Sequence, residues 1–366
     1  MITISLCMIV KNEEEIMDRC LSVFSPIVDE IIIVDTGSTD KTKEVCSLYT
    51  DKIYDFKWIN DFSAARNYAY SFASMDYIMW VDADDIMKEK DIEKLMELKE
   101  KLQPSVDVVM MKYNVNFDAE DNPIFSFYRE RLTKRANNYK WREPVHEVIE
   151  TFGNIIYEDI AITHSKPSDR KRDSQRNIQI YEGQISKGIE LSPRGKYYYG
   201  RELKDHGRWE DGIVQFESFL KEGKGWKEDN ITACQELAKC YFQVGKKEEG
   251  LKTLFRSFVY DLPRGETCCQ IGYYYKGMGD YKSSVFWFQF ILTLEKRKDI
   301  LGFVQPDCWG YIPLIECAVG YDRLGDFEKA NAYNEMALLI KPNSVAALNN
   351  KKYFEAKKSS SLSDIK

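Results

Sequence analysis

Two aspartates with a spacing suited to a metal ion, Asp82 and Asp84, directly follow the strand-like run at residues 76–81. Residues two apart on an extended segment share a face, and carboxylate oxygens are ligands that Mg²⁺ and Mn²⁺ prefer. The pair therefore predicts a divalent-cation site. Each acid, like Asp35 after an earlier apolar run, could alternatively cap a helix or face water in a loop.

Three strand-like runs must position these acids. They span residues 2–10, 30–34 and 76–81, and helical segments separate them. Strands that alternate with helices indicate βαβ units and a parallel sheet, in which ligands bind beyond the carboxyl ends of the strands. The sequence thus predicts that Asn12 and Glu13, Asp35, and the acids after residue 81 meet at one rim of the sheet.

Four segments resemble, in their order and separation, motifs of the family 2 glycosyltransferases, which have the GT-A fold. They are residues 7–14 (CMIVKNEE), 34–42 (VDTGSTDKT), 61–67 (DFSAARN) and 81–85 (VDADD). A D-x-D motif alone is weak evidence because acidic turns are common, but four ordered motifs are specific. The resemblance covers about residues 1–180. It implies an α/β nucleotide-sugar-binding domain with a mostly parallel sheet.

The resemblance also implies which residues bind the donor, a UDP-sugar. In this family the ends of the first two strands hold the nucleobase, and the D-x-D acids hold the ribose and a divalent cation. The arginine of DFSAARN lies near the diphosphate, and the asparagine after it supports the site. Carried over to this chain, these roles fall to Val10, Asn12, Glu13 and Asp35 for the base, Asp82 for the ribose and the cation, Asp84 for the cation, and Arg66 and Asn67 for the diphosphate. An ordinary surface ion pair is the alternative for Arg66.

The implied reaction explains the need for a cation. Negative charge grows on the leaving diphosphate as its bond to the sugar breaks, and Mn²⁺ or Mg²⁺ bridging both phosphates stabilises that charge. By resemblance to the family, an acceptor atom attacks the anomeric carbon opposite the departing UDP, so that the configuration inverts. The transition state is then oxocarbenium-like, as in glycoside hydrolysis.

A later segment, residues 141–147 (WREPVHE), resembles one that tetratricopeptide-linked members of the family carry at the acceptor-side wall. Glu147 is the candidate general base that removes the acceptor's proton, and His146 beside it is the second candidate catalytic residue. Many family members have a Glu-Asp pair here. Glu147 could instead be a structural carboxylate paired with His146 or with an arginine.

A histidine and a basic run complete the predicted site. Several GT-A enzymes use a late histidine as a further metal ligand, and His164 resembles it in position; a polar loop histidine is the alternative. The basic run that follows contains Arg170 and Arg172. Arginines there could make bidentate contacts with the diphosphate, or the run could begin a solvated linker helix.

From about residue 195 the sequence repeats. Gly207, Gly245, Gly279 and Gly325 each have a small residue seven positions before, a large residue four before and a small residue five after. This register is typical of the tetratricopeptide repeat, whose paired helices cross closely at the small positions. We expect domains at residues 1–190 and 191–358, and a frayed tail at 359–366. The repeat could bind the acceptor, a partner or a second copy of the chain, which would make a homodimer.

The composition excludes several classes of protein. A formal charge of −7 argues against a nucleic-acid binder held by bulk charge. No apolar stretch reaches the roughly 18 residues of a transmembrane helix. The nine cysteines are scattered without a C-x-x-C pattern, which favours free thiols in a reducing cytoplasm.

Together these features predict a cytoplasmic, bacterial hexosyltransferase or N-acetylhexosaminyltransferase that is metal-dependent and inverting. The two-domain architecture resembles bacterial peptide and protein glycosyltransferases, including the sublancin-type S-glycosyltransferases. That resemblance implies transfer to a Ser, Thr or Cys side chain of a peptide or protein. A saccharide or lipid-linked glycan is the alternative acceptor. A catalytically inactive repeat adaptor is an alternative from another class, which the intact D-x-D motif, Arg66 and His164 disfavour.

Overall fold

The computed structural model describes residues 1–117, 123–165, 175–295, 300 and 302–363. The chain divides into two compact units, Met1–Glu202 and Leu203–Lys366. Within the described ranges, no helix is both long enough and apolar enough to cross a membrane.

A sheet of eight strands forms the centre of the first unit. The strands of this unit are β1 (Ile4–Val10), β2 (Glu30–Asp35), β3 (Ile53–Asp55), β4 (Tyr77–Trp80), β5 (Asp85–Met87), β6 (Val108–Phe117), β7 (Pro123–Lys134), β8 (Trp141–Arg142), β9 (Val148–Ile149) and β10 (Ile155–His164). The sheet order is β3-β2-β1-β4-β7-β6-β10-β5, and β8 and β9 form a separate antiparallel pair.

Strand direction explains how the site residues meet. β1 runs parallel to both β2 and β4, and β2 runs parallel to β3. In the other half of the sheet, β7 is antiparallel to β4 and β6, β10 is parallel to β6, and β5 is antiparallel to β10. The carboxyl ends of β1, β2 and β4 therefore lie at one edge of the sheet, as the sequence predicts.

Helices cover both faces of this sheet. Those of the first unit are α1 (Met17–Phe24), α2 (Thr42–Cys46), α3 (Phe62–Tyr70), α4 (Glu89–Lys101), α5 (Arg176–Ser186) and α6 (Pro193–Asp205), the last of which continues into the second unit. Successive side chains of a strand point to opposite faces: Leu6 and Met8 join a core with α1, α2 and α4, whereas Cys7 joins a core with α3. Burial on both faces accounts for the continuous apolar runs of β1 and β2.

The second unit is built of antiparallel helices that follow α6. They are α7 (Trp209–Glu222), α8 (Lys227–Gln243), α9 (Lys247–Arg256), α10 (Gly265–Gly277), α11 (Tyr281–Leu292), α12 (Tyr311–Arg323), α13 (Phe327–Ile340) and α14 (Val345–Ser363). The four repeated glycines lie just after α6, α8, α10 and α12, and their φ angles lie between 72° and 82°. Glycine adopts this left-handed conformation without a steric penalty, and it commonly ends helices.

The small positions of the repeat lie where paired helices approach closely. A Cβ on Gly250 of α9 would lie 2.3 Å from Cε1 of Phe242 on α8, and one on Gly272 of α10 would lie 2.8 Å from Cε2 of Phe288 on α11. Ala238 and Ala318 are fully buried. The repeat register predicted from the sequence is therefore the register of helix packing.

Two boundaries differ from those expected. The units divide inside α6, after Glu202 rather than at residue 190, because Ser192, Arg194 and Glu202 hydrogen-bond to residues 143–146 of the first unit. Helix α14 continues to Ser363, into the segment predicted as a frayed tail, because residues 345–363 contain no glycine or proline that would end it. Residues 364–366 lie outside the described ranges.

Candidate active site

The end of β2 carries a carboxylate that is only half used. Oδ1 of Asp35 accepts hydrogen bonds from the backbone nitrogens of Gly37 and Ser38, each at 2.9 Å. Oδ2 is buried and has no hydrogen-bond partner among the described residues. A buried acceptor without a donor costs free energy. Oδ2 is thus suited to accept from an N–H group of a ligand, such as the imide of a pyrimidine base.

The loop after β1 is joined to the loop after β2 by side chain–backbone hydrogen bonds. Asn12 has a left-handed φ of 54°, which asparagine tolerates better than most residues. The side-chain Oδ1 of Asn12 accepts from the backbone nitrogen of Thr39 at 2.8 Å, and the backbone nitrogen of Asn12 donates to Oγ of Ser38 at 2.9 Å. Val10 is buried and its carbonyl accepts from Thr36. Of the residues predicted for the nucleobase, Val10 and Asp35 therefore end the neighbouring strands β1 and β2, and Asn12 and Glu13 lie in the loop after β1.

Arg66 connects two acidic residues that are far apart in the sequence. Its Nη2 donates to Oδ1 of Asp82 at 2.7 Å, and its Nε donates to Oε1 of Glu147 at 2.6 Å. The guanidinium is almost fully buried, with its carbon 4.8 Å from the ring centres of both Trp80 and Trp141. Burial alone would raise the pKa of Asp82, but the charge of Arg66 outweighs it and holds that pKa at about 2.

Helix α3 and the strand β8 fix the position of Arg66. Asp61 caps α3 by accepting from the backbone nitrogen of Ala64 at 2.9 Å. The side chain of Asn67 pairs with the backbone of Trp141, donating to its carbonyl at 3.0 Å and accepting from its nitrogen at 2.9 Å. Asn67 thereby joins α3 to β8.

A second acidic cluster contains the atoms best placed to hold a metal ion. One ligand atom from each of Asp84, Asp85 and His164 lies within 4.8 Å of the others. Nδ1 of His164 is 3.2 Å from Oδ1 of Asp84, and the pairing of β5 with β10 sets His164 opposite Asp85. Carboxylates suit Mg²⁺ and Mn²⁺, and a neutral imidazole is a common additional ligand. The donor set therefore fits a divalent cation.

Asp82 is not a member of that cluster. An extended segment would place Asp82 and Asp84 on one face, as expected from the sequence. The chain turns here instead: the backbone nitrogen of Asp85 donates to the carbonyl of Asp82 at 3.0 Å, and the nitrogen of Asp82 donates to Oδ2 of Asp85 at 3.0 Å. The turn directs Asp82 toward Arg66 and leaves Asp84 beside His164.

Asp85 is fully buried and connects the cluster to two residues of neighbouring strands. It accepts from Nη1 of Arg131 at 3.1 Å and from the hydroxyl of Tyr113 at 2.8 Å. Because Tyr113 donates to Asp85, its oxygen accepts from Nδ1 of His164, 2.9 Å away. Nδ1 of His164 thus faces two oxygen atoms, that of Tyr113 and Oδ1 of Asp84. Asp85, Tyr113 and Arg131 were not predicted from the sequence. An arginine among the apolar residues of β7 indicates a buried acidic partner and could have pointed to them.

His146 and Glu147 are adjacent, yet their side chains join different networks. The His146 ring stacks on Tyr198, with centres 4.3 Å apart, and its Nε2 lies 2.9 Å from Oε1 of Glu202. Burial lowers the pKa of His146 below its usual value, although Glu202 opposes this effect. Glu147 contacts Arg66 instead, which is the arginine-paired arrangement considered as its structural alternative. Arg170 and Arg172 lie outside the described residues.

Comparison with known proteins agrees with this architecture. Residues 5–158 match the model of glycosyl transferase family 2, and residues 265–296 match the model of a tetratricopeptide repeat. These matches confirm the predicted order of an α/β domain similar to this family followed by a helical domain similar to the tetratricopeptide repeat.

Three curated relatives are similar to parts of the chain. A TPR repeat-containing protein of Synechococcus elongatus is 33% identical over 41% of this chain and 36% of its own length. The SPbeta prophage-derived glycosyltransferase SunS of Bacillus subtilis is 28% identical over 55% of this chain and 49% of its own. Glycosyltransferase GlyG of Streptococcus pneumoniae is 39% identical over 42% of this chain and 55% of its own. The chain thus spans less than two thirds of each relative.

Proposed function

From the match of residues 5–158 to glycosyl transferase family 2 and of residues 265–296 to a tetratricopeptide repeat, we propose that the protein is a metal-dependent inverting glycosyltransferase. The donor is a UDP-sugar, and the acceptor is a Ser, Thr or Cys side chain of a peptide or protein. The observation that carries the proposal is the Asp84–Asp85–His164 cluster, directly beside the Asp82 carboxylate that Arg66 holds.

The base, the ribose and the diphosphate of the donor each have a proposed partner. The unpaired Oδ2 of Asp35 accepts from the N–H of the uracil ring. Asp82, at the end of β4, is half exposed and accepts from the ribose hydroxyls. Asp84 and His164 would hold the cation, which would supply positive charge to stabilise the departing diphosphate. Asp85 and Tyr113 orient His164 from behind.

Transfer forms a bond from the acceptor atom to the anomeric carbon and breaks the bond from that carbon to the diphosphate oxygen, which leaves with the electron pair. The acceptor's proton moves to Glu147. Arg66 occupies Oε1 of Glu147, so that Oε2 is the atom that accepts this proton. Sharing one guanidinium keeps Glu147 and Asp82 at a fixed separation, which orients the acceptor against the bound donor.

The peptide or protein acceptor rests on two sources of support. The sequence resembles bacterial peptide and protein glycosyltransferases, and the repeat is of a type whose concave surfaces bind other chains. A repeat that pairs with a second copy of this chain would serve dimerisation instead. Saccharide and lipid-linked glycans are the alternative acceptors, and the experiment below includes them.

The deciding experiment measures UDP release from a panel of UDP-sugars, with Mn²⁺, Mg²⁺ or a chelator, and then mass spectrometry of co-expressed candidate acceptors. We expect Asp84→Ala to lower turnover by about three orders of magnitude, or about 4 kcal/mol, because the cation loses a charged ligand. Asp51→Asn, which changes an exposed acid outside the site, is the matched control. Full turnover of Asp84→Ala in chelator would refute the metal site, and a wild-type protein that binds UDP without turnover would favour the adaptor.

A further inference from the structure

The loop at residues 143–147, which ends at Glu147, is held by the segment that follows the sheet. Oγ of Ser192 donates to Oε1 of Glu143 at 2.6 Å. Nε of Arg194 donates to the carbonyl of His146 at 3.1 Å, and Nε2 of His146 lies 2.9 Å from Oε1 of Glu202. Ser192, directly before α6, and Arg194 and Glu202 of α6 therefore contact the loop at three points within the first unit.

Two residues of this loop have backbone angles that L-residues rarely adopt. The φ of Glu143 is 72° and the φ of His146 is 53°. Each left-handed residue of this kind costs about 1 kcal/mol or more and persists only where its surroundings enforce it. For His146, those surroundings are α6 and the stacked ring of Tyr198.

Glu202 of α6 contacts the ring of His146 through its carboxylate. A carboxylate only accepts, so Nε2 of His146 carries the proton in this contact. The same Oε1 also accepts from Nδ2 of Asn177 on α5 at 3.0 Å. The Glu202 side chain is 13% exposed, so water competes weakly for the hydrogen bond.

We propose that Glu202 is a positioning residue for Glu147. By holding His146 in its left-handed conformation, Glu202 sets the direction in which the next side chain leaves the backbone, and so brings Glu147 to Arg66. The inference rests on the proposed function, because it assigns Glu147 the proton of the attacking group. On this inference, α6 contributes to catalysis by positioning a residue of the active site.

The test is a double-mutant cycle on hydrolysis of UDP-glucose and UDP-N-acetylglucosamine with Mn²⁺, in which water replaces the acceptor. We expect Glu202→Ala to lower kcat about tenfold with an unchanged KM, because displacement of a catalytic group slows turnover without weakening donor binding. In the Glu147→Gln background, the same change should lower kcat less than about twofold, since residues that act through one another are not additive.

Two further variants separate positioning from general damage. Glu202→Gln keeps an acceptor oxygen for His146 and should retain most of the wild-type kcat. Glu190→Gln removes an exposed ion pair with Lys196 near the start of α6 and should change nothing. If Glu202→Ala fails to fold, His146→Asn takes its place, because asparagine tolerates the left-handed conformation but is too short to reach Glu202.

Equal losses from Glu202→Ala in both backgrounds, or an unchanged kcat, would overturn the inference. If the wild-type protein hydrolyses neither donor, the proposed function fails, and the same cycle is then measured on thermal unfolding. Additive shifts in Tm would overturn the positioning role, whereas non-additive shifts would support the coupling of Glu202 to Glu147 independently of activity.

Discussion

Nε of Arg66 lies 2.6 Å from Oε1 of Glu147, although 81 positions separate the two residues in the chain. The same guanidinium holds Asp82 through Nη2. One buried cation therefore joins the residue proposed to touch the donor's ribose to the residue proposed to take the acceptor's proton. Removing either carboxylate leaves the other as the one anionic partner of this buried charge among the described residues.

The first prediction concerns Glu147. Glu147→Gln preserves size and abolishes basicity, so we expect kcat for a hydroxyl acceptor to fall by about 10²–10⁴-fold with the UDP-sugar KM nearly unchanged. A thiol at the same position of one acceptor peptide should be affected less, because part of a cysteine population is already thiolate near neutral pH. Wild-type rates with the hydroxyl peptide would remove Glu147 from the mechanism.

The next candidates for the base are already engaged elsewhere. Asp159 pairs with Lys94 and Lys112, and these contacts lower its pKa to about 2. Glu143 accepts from Ser192. Glu147 is also paired, but with the guanidinium of Arg66 that binds Asp82, so it is the carboxylate of the three that is linked to the proposed donor site.

Asp35→Asn tests the nucleobase site. The amide oxygen can still accept from Gly37 and Ser38, whereas the amide nitrogen replaces the unpaired Oδ2 with a donor. We expect the Kd for UDP, measured by calorimetry, to rise at least about tenfold both with and without metal, because two donors then face each other. Equal affinity of the variant and the wild type would reduce Asp35 to a residue that orders its own turn.

Tyr113→Phe tests the support of the metal ligands. The hydroxyl lies between Asp85 and His164, so its loss frees the imidazole to rotate or change tautomer. We expect about tenfold weaker Mn²⁺ binding by calorimetry, as for other residues that orient metal ligands. Tyr157→Phe, on the same strand as His164 but half exposed, should bind Mn²⁺ like the wild type. Equal affinities for both variants would contradict the assignment.

An acid-sensitive ion pair should report on the stability of the second unit. Glu236 of α8 contacts Lys204 and Lys239. Burial alone would raise the pKa of Glu236, but the two ammonium groups outweigh it and lower the pKa to about 2. A lowered pKa stabilises the fold above the ordinary value of 4.5, and that contribution is lost as the pH falls from there toward 2.

Glu236→Gln should therefore lower the free energy of unfolding at pH 7 by about 3 kcal/mol and flatten its pH dependence below 4.5. Urea denaturation at several pH values, followed by circular dichroism, measures both effects. Glu248→Gln, at an exposed position of α9, serves as the control. A variant whose stability still falls as steeply in acid as the wild type would show that Glu236 is not the responsible group.

Features that depend on strand direction and helix period were predictable from the sequence. Parallel strands bring their carboxyl ends together, so the common edge for Asn12, Asp35 and Asp82 follows from alternating strand and helix signals. The repeated glycines likewise mark turns, because each turn needs a residue that adopts a positive φ without a steric penalty. Both features are local, and local patterns are what a single sequence records.

Contacts between distant segments were not predictable. The Arg66–Glu147 and Tyr113–His164 pairs depend on how β7, β8 and β10 are placed, which no spacing in the sequence encodes. The separation of Asp82 from Asp84 depends on a turn where alternation suggested an extended segment. The sequence therefore identified most of the acidic groups but not the partners that divide them between two clusters.

All nine cysteines are free, and each is buried. Thiol reagents react with accessible thiolates, so a maleimide dye should leave the folded protein unlabelled until a cysteine is introduced on its surface. The same shielding has a consequence for an enzyme that would glycosylate sulfur. Its own thiols would be inaccessible to the proposed reaction, and a sugar found on one of them would indicate a chain that was modified before it folded.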